Sequence, residues 1–130
     1  MAETVTFELV SPERLLATDT VTAVTVPGLD GELTAMANHA PFLSALRPGY
    51  VVTEGGEGGR YFVTGGLVEI AAETVTVLAE EAVPEGEITA EWMRERVSQA
   101  EKAVENAGED RRQLEAQKLA DYRFHAEQTG

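Results

Sequence analysis

The feature that most constrains this chain is a break in periodicity at Val83-Pro84-Glu85-Gly86-Glu87. Before it, apolar residues alternate every second position; after it, they do not. Upstream, Thr4-Val5-Thr6-Phe7-Glu8-Leu9 sets Val5, Phe7 and Leu9 on one face, and Thr74-Val75-Thr76-Val77-Leu78-Ala79 repeats the pattern. Further β-type runs occupy residues 21–26, 50–53, 61–64 and 67–71, separated by turn formers at 27–28, 31, 48–49, 55–59 and 65–66. Turns at this spacing predict an antiparallel β-sandwich, or flattened barrel, over residues 1–83, with 84–88 as a linker.

From Thr89 onward there is no proline, and no glycine before Gly108, while Ala, Glu, Gln, Arg and Lys dominate, so residues 89–130 read as helix. Thr89 suits the first N-cap, and Glu91 places negative charge in the first turn. Met93, Val97, Ala100, Val104 and Ala107 recur at helical spacing and form a narrow apolar stripe. Asn106-Ala107-Gly108 predicts a glycine C-cap; Glu109-Asp110 then opens a second helix carrying Leu114, Leu119, Tyr122 and Ala126. The expected fold class is therefore α+β, a sandwich followed by an antiparallel helical hairpin. Apolar burial contributes about 25 cal/mol per Å², and so thin a stripe buries little. The hairpin is expected to lean on the sandwich or on a partner, and to detach from the sandwich at modest cost.

With 130 residues and 43% hydrophobic side chains, there is material for one core and an appendage. Cysteine is absent, which excludes disulfides, thiolate nucleophiles and Cys-ligated metal centres. Residues 1–88 hold 14 acidic and 3 basic side chains, so they carry most of the net −13. Such a surface repels phosphate backbones and anionic headgroups, which leaves a protein partner as the expectation and disfavours nucleic acid and direct membrane insertion. No run approaches the ~18 apolar residues of a membrane span. Met1-Ala2-Glu3-Thr4 lacks the pattern of a signal peptide, so a cytoplasmic chain is expected.

No catalytic motif emerges. His39 and His125 are the two histidines, too few for a His-based metal site; a loop hydrogen bond suits His39 and a solvated helix position suits His125. Gly55-Gly56-Glu57-Gly58-Gly59 lacks the Lys-Ser/Thr pair and following helix of a phosphate loop, so it reads as a flexible hairpin turn. Glu80, Glu81, Glu85 and Glu87 fit no EF-hand spacing and read as a solvated edge. Ser11, Ser44 and Ser98 lack a nucleophile-elbow context, and Trp92 reads as a packing anchor. No cofactor, metal or catalytic residue is assigned.

Longer strings carry a family resemblance. Val26-Pro27-Gly28-Leu29-Asp30-Gly31-Glu32-Leu33, then Asn38-His39-Ala40-Pro41-Phe42-Leu43-Ser44-Ala45-Leu46-Arg47-Pro48-Gly49, resembles the signature of F-type ATP synthase epsilon subunits. Gly65-Gly66-Leu67-Val68-Glu69-Ile70 and Val75-Thr76-Val77-Leu78-Ala79 follow in the family's order. The resemblance implies a non-catalytic rotor subunit of a bacterial, proton-translocating ATP synthase. Its sandwich would lie beside the gamma shaft and rest on the polar loops of the membrane c-ring, peripheral to the cytoplasmic face of the inner membrane. Carried over by position, Asp30, Gly31, Glu32 and His39 are the expected ring-facing edge. In many relatives the hairpin extends toward the alpha/beta head and inhibits hydrolysis. Some bind ATP through an Ile/Leu-Asp-x-x-Arg-Ala string, where this chain has Ile88-Thr89-Ala90-Glu91-Trp92-Met93; Thr89 and Trp92 replace the Asp and Arg. A nearly neutral second helix also lacks the positive face that would suit an acidic target in the head. The rival readings are a sandwich adaptor of another complex and a small hydrolase using acidic residues.

Overall fold

Alternation becomes strand throughout the N-terminal part. In the computed structural model, which describes residues 3–129, ten strands are formed: β1 (Val5–Ser11), β2 (Arg14–Val21), β3 (Ala23–Gly28), β4 (Gly31–Met36), β5 (Phe42–Leu46), β6 (Gly49–Glu54), β7 (Gly59–Val63), β8 (Gly66–Ile70), β9 (Thr74–Ala79) and β10 (Ala82–Pro84). They make one sheet in the order β10-β7-β6-β3-β5-β8-β9-β1-β2, with β4 paired to β3 alone. Between β3 and β5 the seam is a single residue pair, Gly28 with Leu46, closed by Leu29 N–H donating to the Ala45 carbonyl at 3.0 Å and Arg47 N–H to that of Pro27 at 2.9 Å. The sheet thus curls into two layers around one core.

The core is the set of inward positions that alternation marks. Val5, Phe7 and Leu9 of β1, Val68 and Ile70 of β8, and Val75 and Val77 of β9 are all buried. They meet Val24, Val26, Val51 and Val63 from the other layer. Removing a large member such as Phe7 would cost about 3–5 kcal/mol through lost burial and the cavity left behind.

One pair departs from the antiparallel expectation: β1 runs parallel to β9, Phe7 opposite Val75. A hairpin forces antiparallel neighbours, but these two strands are joined through the rest of the sheet, so no turn dictates their direction. Gly66 opens β8 opposite Ala79 of β9, at φ +133; a Cβ there would collide with the Leu78 carbonyl oxygen and lie 3.0 Å from Ala79 Cα. This explains the second glycine of Gly65-Gly66 as a close backbone approach.

The first unit ends at Glu85 and the second begins at Gly86, within a single 3₁₀ turn (Glu85–Glu87) that leads into two helices. Helix α1 (Ala90–Asn106) starts as expected, with the Thr89 hydroxyl accepting from Trp92 N–H at 3.0 Å. The stripe is confirmed: Met93 and Ala100 are buried, and Val97, Val104 and Ala107 half-buried. The glycine C-cap is corrected. Ala107 ends α1 in an extended conformation, and Gly108, at φ −73, becomes the N-cap of α2 (Glu109–Gln128). With only two residues between the helices, a left-handed Schellman turn gives way to a direct restart. The chain doubles back, and Arg123 reaches Glu101 at 3.0 Å. Leu114, expected on the buried side, is 41% exposed; α2 instead buries Asp121, which accepts from Gln117 at 3.2 Å, beside Tyr122.

Candidate functional site

The β3–β4 hairpin carries three of the four candidate residues. Gly28 pairs with Gly31, so Leu29 and Asp30 form a two-residue loop, and Gly31 adopts φ +137, open to glycine and strained for others. Glu32 follows on β4 opposite Pro27. Leu29, Asp30, Gly31 and Glu32 are all exposed, so the tip presents one apolar side chain and two carboxylates. Backbone hydrogen bonds from Leu29 and Arg47 across the neighbouring seam hold its base.

His39 is not part of that group. Strand β4 runs from the tip to Met36, about 17 Å at ~3.4 Å per residue, and His39 lies beyond its far end. There Asn38, at φ 66, donates from its backbone to the Ala72 carbonyl at 2.8 Å and from its side chain to Glu3 at 2.5 Å. His39 N–H donates to the Met36 carbonyl at 3.2 Å, and its Nδ1 lies 2.6 Å from the Ala40 carbonyl. The imidazole thus serves the loop bond that its chemistry suggested. His125, expected to be solvated, is half-buried, its ring 5.1 Å from that of Phe124.

The glycine cluster forms the β6–β7 turn, closed by Gly58 N–H to the Gly55 carbonyl at 3.1 Å. Sequence reading missed its anchor. Asp19 of β2 accepts from Glu57 N–H at 2.9 Å and from Thr20 N–H at 2.8 Å. Also missed was a cluster at the end of the sandwich: Arg60 pairs with Glu85 at 2.7 Å and lies 4.5 Å from the Tyr50 ring centroid. Tyr50 meets Phe62 edge-on at 5.2 Å. Burial pushes the Tyr50 hydroxyl above its ordinary value of 10.0, Glu85 adds to the rise and Arg60 opposes it. Among the described residues, no three His, Asp or Glu side chains converge on a point. On α1, Thr89 is committed to its cap, and Trp92 is half-buried with the Arg96 guanidinium 4.6 Å from its ring.

Residues 4–85 match the family described as the ATP synthase delta/epsilon chain β-sandwich domain. An ATP synthase epsilon chain from Paramagnetospirillum magneticum is 45% identical over 121 residues, covering 92% of this chain and 91% of the relative. The chain belongs to the ATP synthase epsilon family. Another epsilon-family member, from Jannaschia sp., is 50% identical over 99 residues, 75% of each chain. The fold is shared with a chain of the Euglena gracilis mitochondrial ATP synthase, solved as OSCP/F1/c-ring, at a TM-score of 0.71 and 24% identity, covering 92% of this chain and 78% of that one. Membership of the epsilon family makes this a non-catalytic stalk subunit of ATP synthase, as the sequence resemblance implied. No helix among the described residues is long and apolar enough to cross a membrane.

Proposed function

We propose that this chain is a mechanical joint of the central stalk, binding gamma along the sandwich and seating the β3–β4 tip on the polar loops of the c-ring at the cytoplasmic face of the bacterial inner membrane. The observation that carries the ring contact is the tip itself: Leu29, Asp30 and Glu32 are exposed on a hairpin whose base is held by backbone hydrogen bonds. An exposed charge pair contributes about 0–1 kcal/mol, so Asp30 and Glu32 work together with the apolar contact of Leu29 rather than singly. The wider partnership is supported by family membership and by the presence of a similar fold in a structure described as F1 and c-ring. A hairpin reaching the alpha/beta head would be a regulatory addition to this role. With Thr89 and Trp92 at the positions of the family's Asp and Arg, that regulation would proceed without ATP bound at this site.

Single cysteines at Asp30, Glu32 and His39, each introduced into the assembled enzyme with a cysteine in the c-ring loop, test the seating. Adducts from Asp30→Cys and Glu32→Cys are expected. If only His39→Cys cross-links, the ring instead meets the far end of β4, and the tip assignment fails.

A further inference from the structure

The chain leaves the sandwich through its shortest strand. β10 lies at an end of the sheet and meets β7 alone, with Ala82 opposite Val63, Val83 opposite Phe62 and Pro84 opposite Tyr61. Thr64 N–H donates to the Glu81 carbonyl at 3.1 Å just before the strand begins. Alternation along an antiparallel ladder then makes Val83 with Phe62 the hydrogen-bonded pair inside β10. Pro84 has no N–H to give, and a 3₁₀ turn replaces the strand from Glu85. Backbone pairing grips the exit weakly.

Side chains supply the next rung. One step beyond Pro84 and Tyr61, the same register sets Glu85 opposite Arg60, and Arg60 Nε donates to the Glu85 carboxylate at 2.7 Å. Arg60 is the only basic side chain on β6, β7 or β10, so no other on these strands can take its place. Its guanidinium lies 4.5 Å from the centre of the Tyr50 ring, and Tyr50 faces Phe62 across the β6–β7 pair. The arginine is thus fixed to the body of the sheet, while the carboxylate belongs to the departing chain. The two side chains are 46% and 49% exposed, which leaves the pair open to screening by salt.

We propose that Arg60 and Glu85 form a salt-sensitive clasp on β10, and that its release lengthens the tether between the sandwich and the helical hairpin. With the clasp closed, the tether is residues 86–89 and spans at most about 14 Å; with β10 freed, it is residues 82–89 and spans at most about 28 Å. Ala82 is the β10 side chain packed against the core, so freeing the strand leaves the other core residues in place. The clasp is a property of the chain alone and is tested apart from the stalk reading.

Hydrogen exchange and pulsed electron paramagnetic resonance on the full-length chain provide the test. In the unmodified chain, raising salt speeds exchange at the Val83 amide by about two- to fivefold. The Val52 and Val68 amides, with paired strands on both sides, stay protected. Glu85→Lys makes Val83 exchange fast at every salt concentration and leaves Val52 and Val68 unchanged. The chain has no cysteine, so nitroxides at Thr18→Cys and Ser98→Cys, both exposed positions, report the distance between the two units. In Glu85→Lys the distance distribution broadens toward longer values, by up to about 14 Å. Val83 protection that neither salt nor Glu85→Lys alters overturns the clasp. A distance distribution that stays fixed while Val83 exchanges freely overturns the lengthened tether. Faster exchange at Val52 and Val68 together with Val83 makes the ion pair a support of the whole sandwich, and the proposal fails.

Discussion

Replacing Gly66 by alanine tests how strictly the start of β8, paired with the end of β9, demands glycine. Gly66 lies opposite Ala79 at φ +133, and an L side chain forced into that backbone region costs about 1–3 kcal/mol. The added Cβ would also strike the Leu78 carbonyl oxygen and come within 3.0 Å of Leu78 C and Ala79 Cα, backbone atoms that cannot rotate away. Overpacking of this kind adds about 1–3 kcal/mol, giving a loss of about 2–6 kcal/mol. A unit of this length holds about 4–13 kcal/mol in total, and each kcal/mol moves its melting point by about 4–8 °C. The substitution therefore lowers the midpoint by about ten degrees or more, or unfolds the sandwich outright. Two comparators separate the causes. Gly31→Ala, at φ +137 with nothing within 4 Å, retains only the strain. Gly86→Ala meets open space without a positive φ, so it is neutral or stabilising by about 0.4–1 kcal/mol. Urea titrations followed through the Val68 and Val77 amide resonances report the sandwich alone. If Gly66→Ala is no less stable than Gly31→Ala, the carbonyl clash is not what demands glycine, and the reasoning is refuted.

Thr89→Ala removes the hydroxyl that accepts from Trp92 N–H; a loss of about 1 kcal/mol is expected in α1 amide exchange, and Thr89→Asp should recover it. Arg60→Ala loses an exposed ion pair with Glu85 and the Tyr50 ring contact; about 0.5–2 kcal/mol should disappear from the melt, and the difference should shrink as salt is raised. Because the Tyr50 hydroxyl titrates above 10.0 in the folded chain, its contribution is complete below the unfolded value and is lost as pH climbs through the raised folded one. Alkaline melts should show this decline, and Tyr50→Phe should flatten it.

What the sequence revealed depended on how strictly side-chain period follows structure. Val5, Phe7 and Leu9, or Val75 and Val77, alternate because one face is buried, so β1 and β9 were legible from residue type alone. Strand β2 was not: Arg14-Leu15-Leu16-Ala17 blurs the alternation, and the structure places a register shift opposite it at Leu9 and Val10. Strand β4 was hidden because it pairs with β3 alone and exposes Glu32, Thr34 and Met36. The Asp30 turn was readable from its glycines. The separation of His39 from it was not, because residues close in sequence are set apart by the length of the strand between them. Asp19 and the Arg60–Glu85 pair join segments distant in sequence, and no local pattern records such contacts.

The parallel pairing of β1 with β9 also orders events during synthesis. The first strand to leave the ribosome has one of its two neighbours encoded nearly seventy residues later. At about 5–20 residues per second, it waits roughly 3–14 s for that neighbour to be translated. Until then Val5, Phe7 and Leu9 have only the β2 hairpin for shelter, so a nascent chain stalled before Val75 presents an adhesive segment to chaperones, and release of the N-terminal unit from their care coincides with emergence of β9.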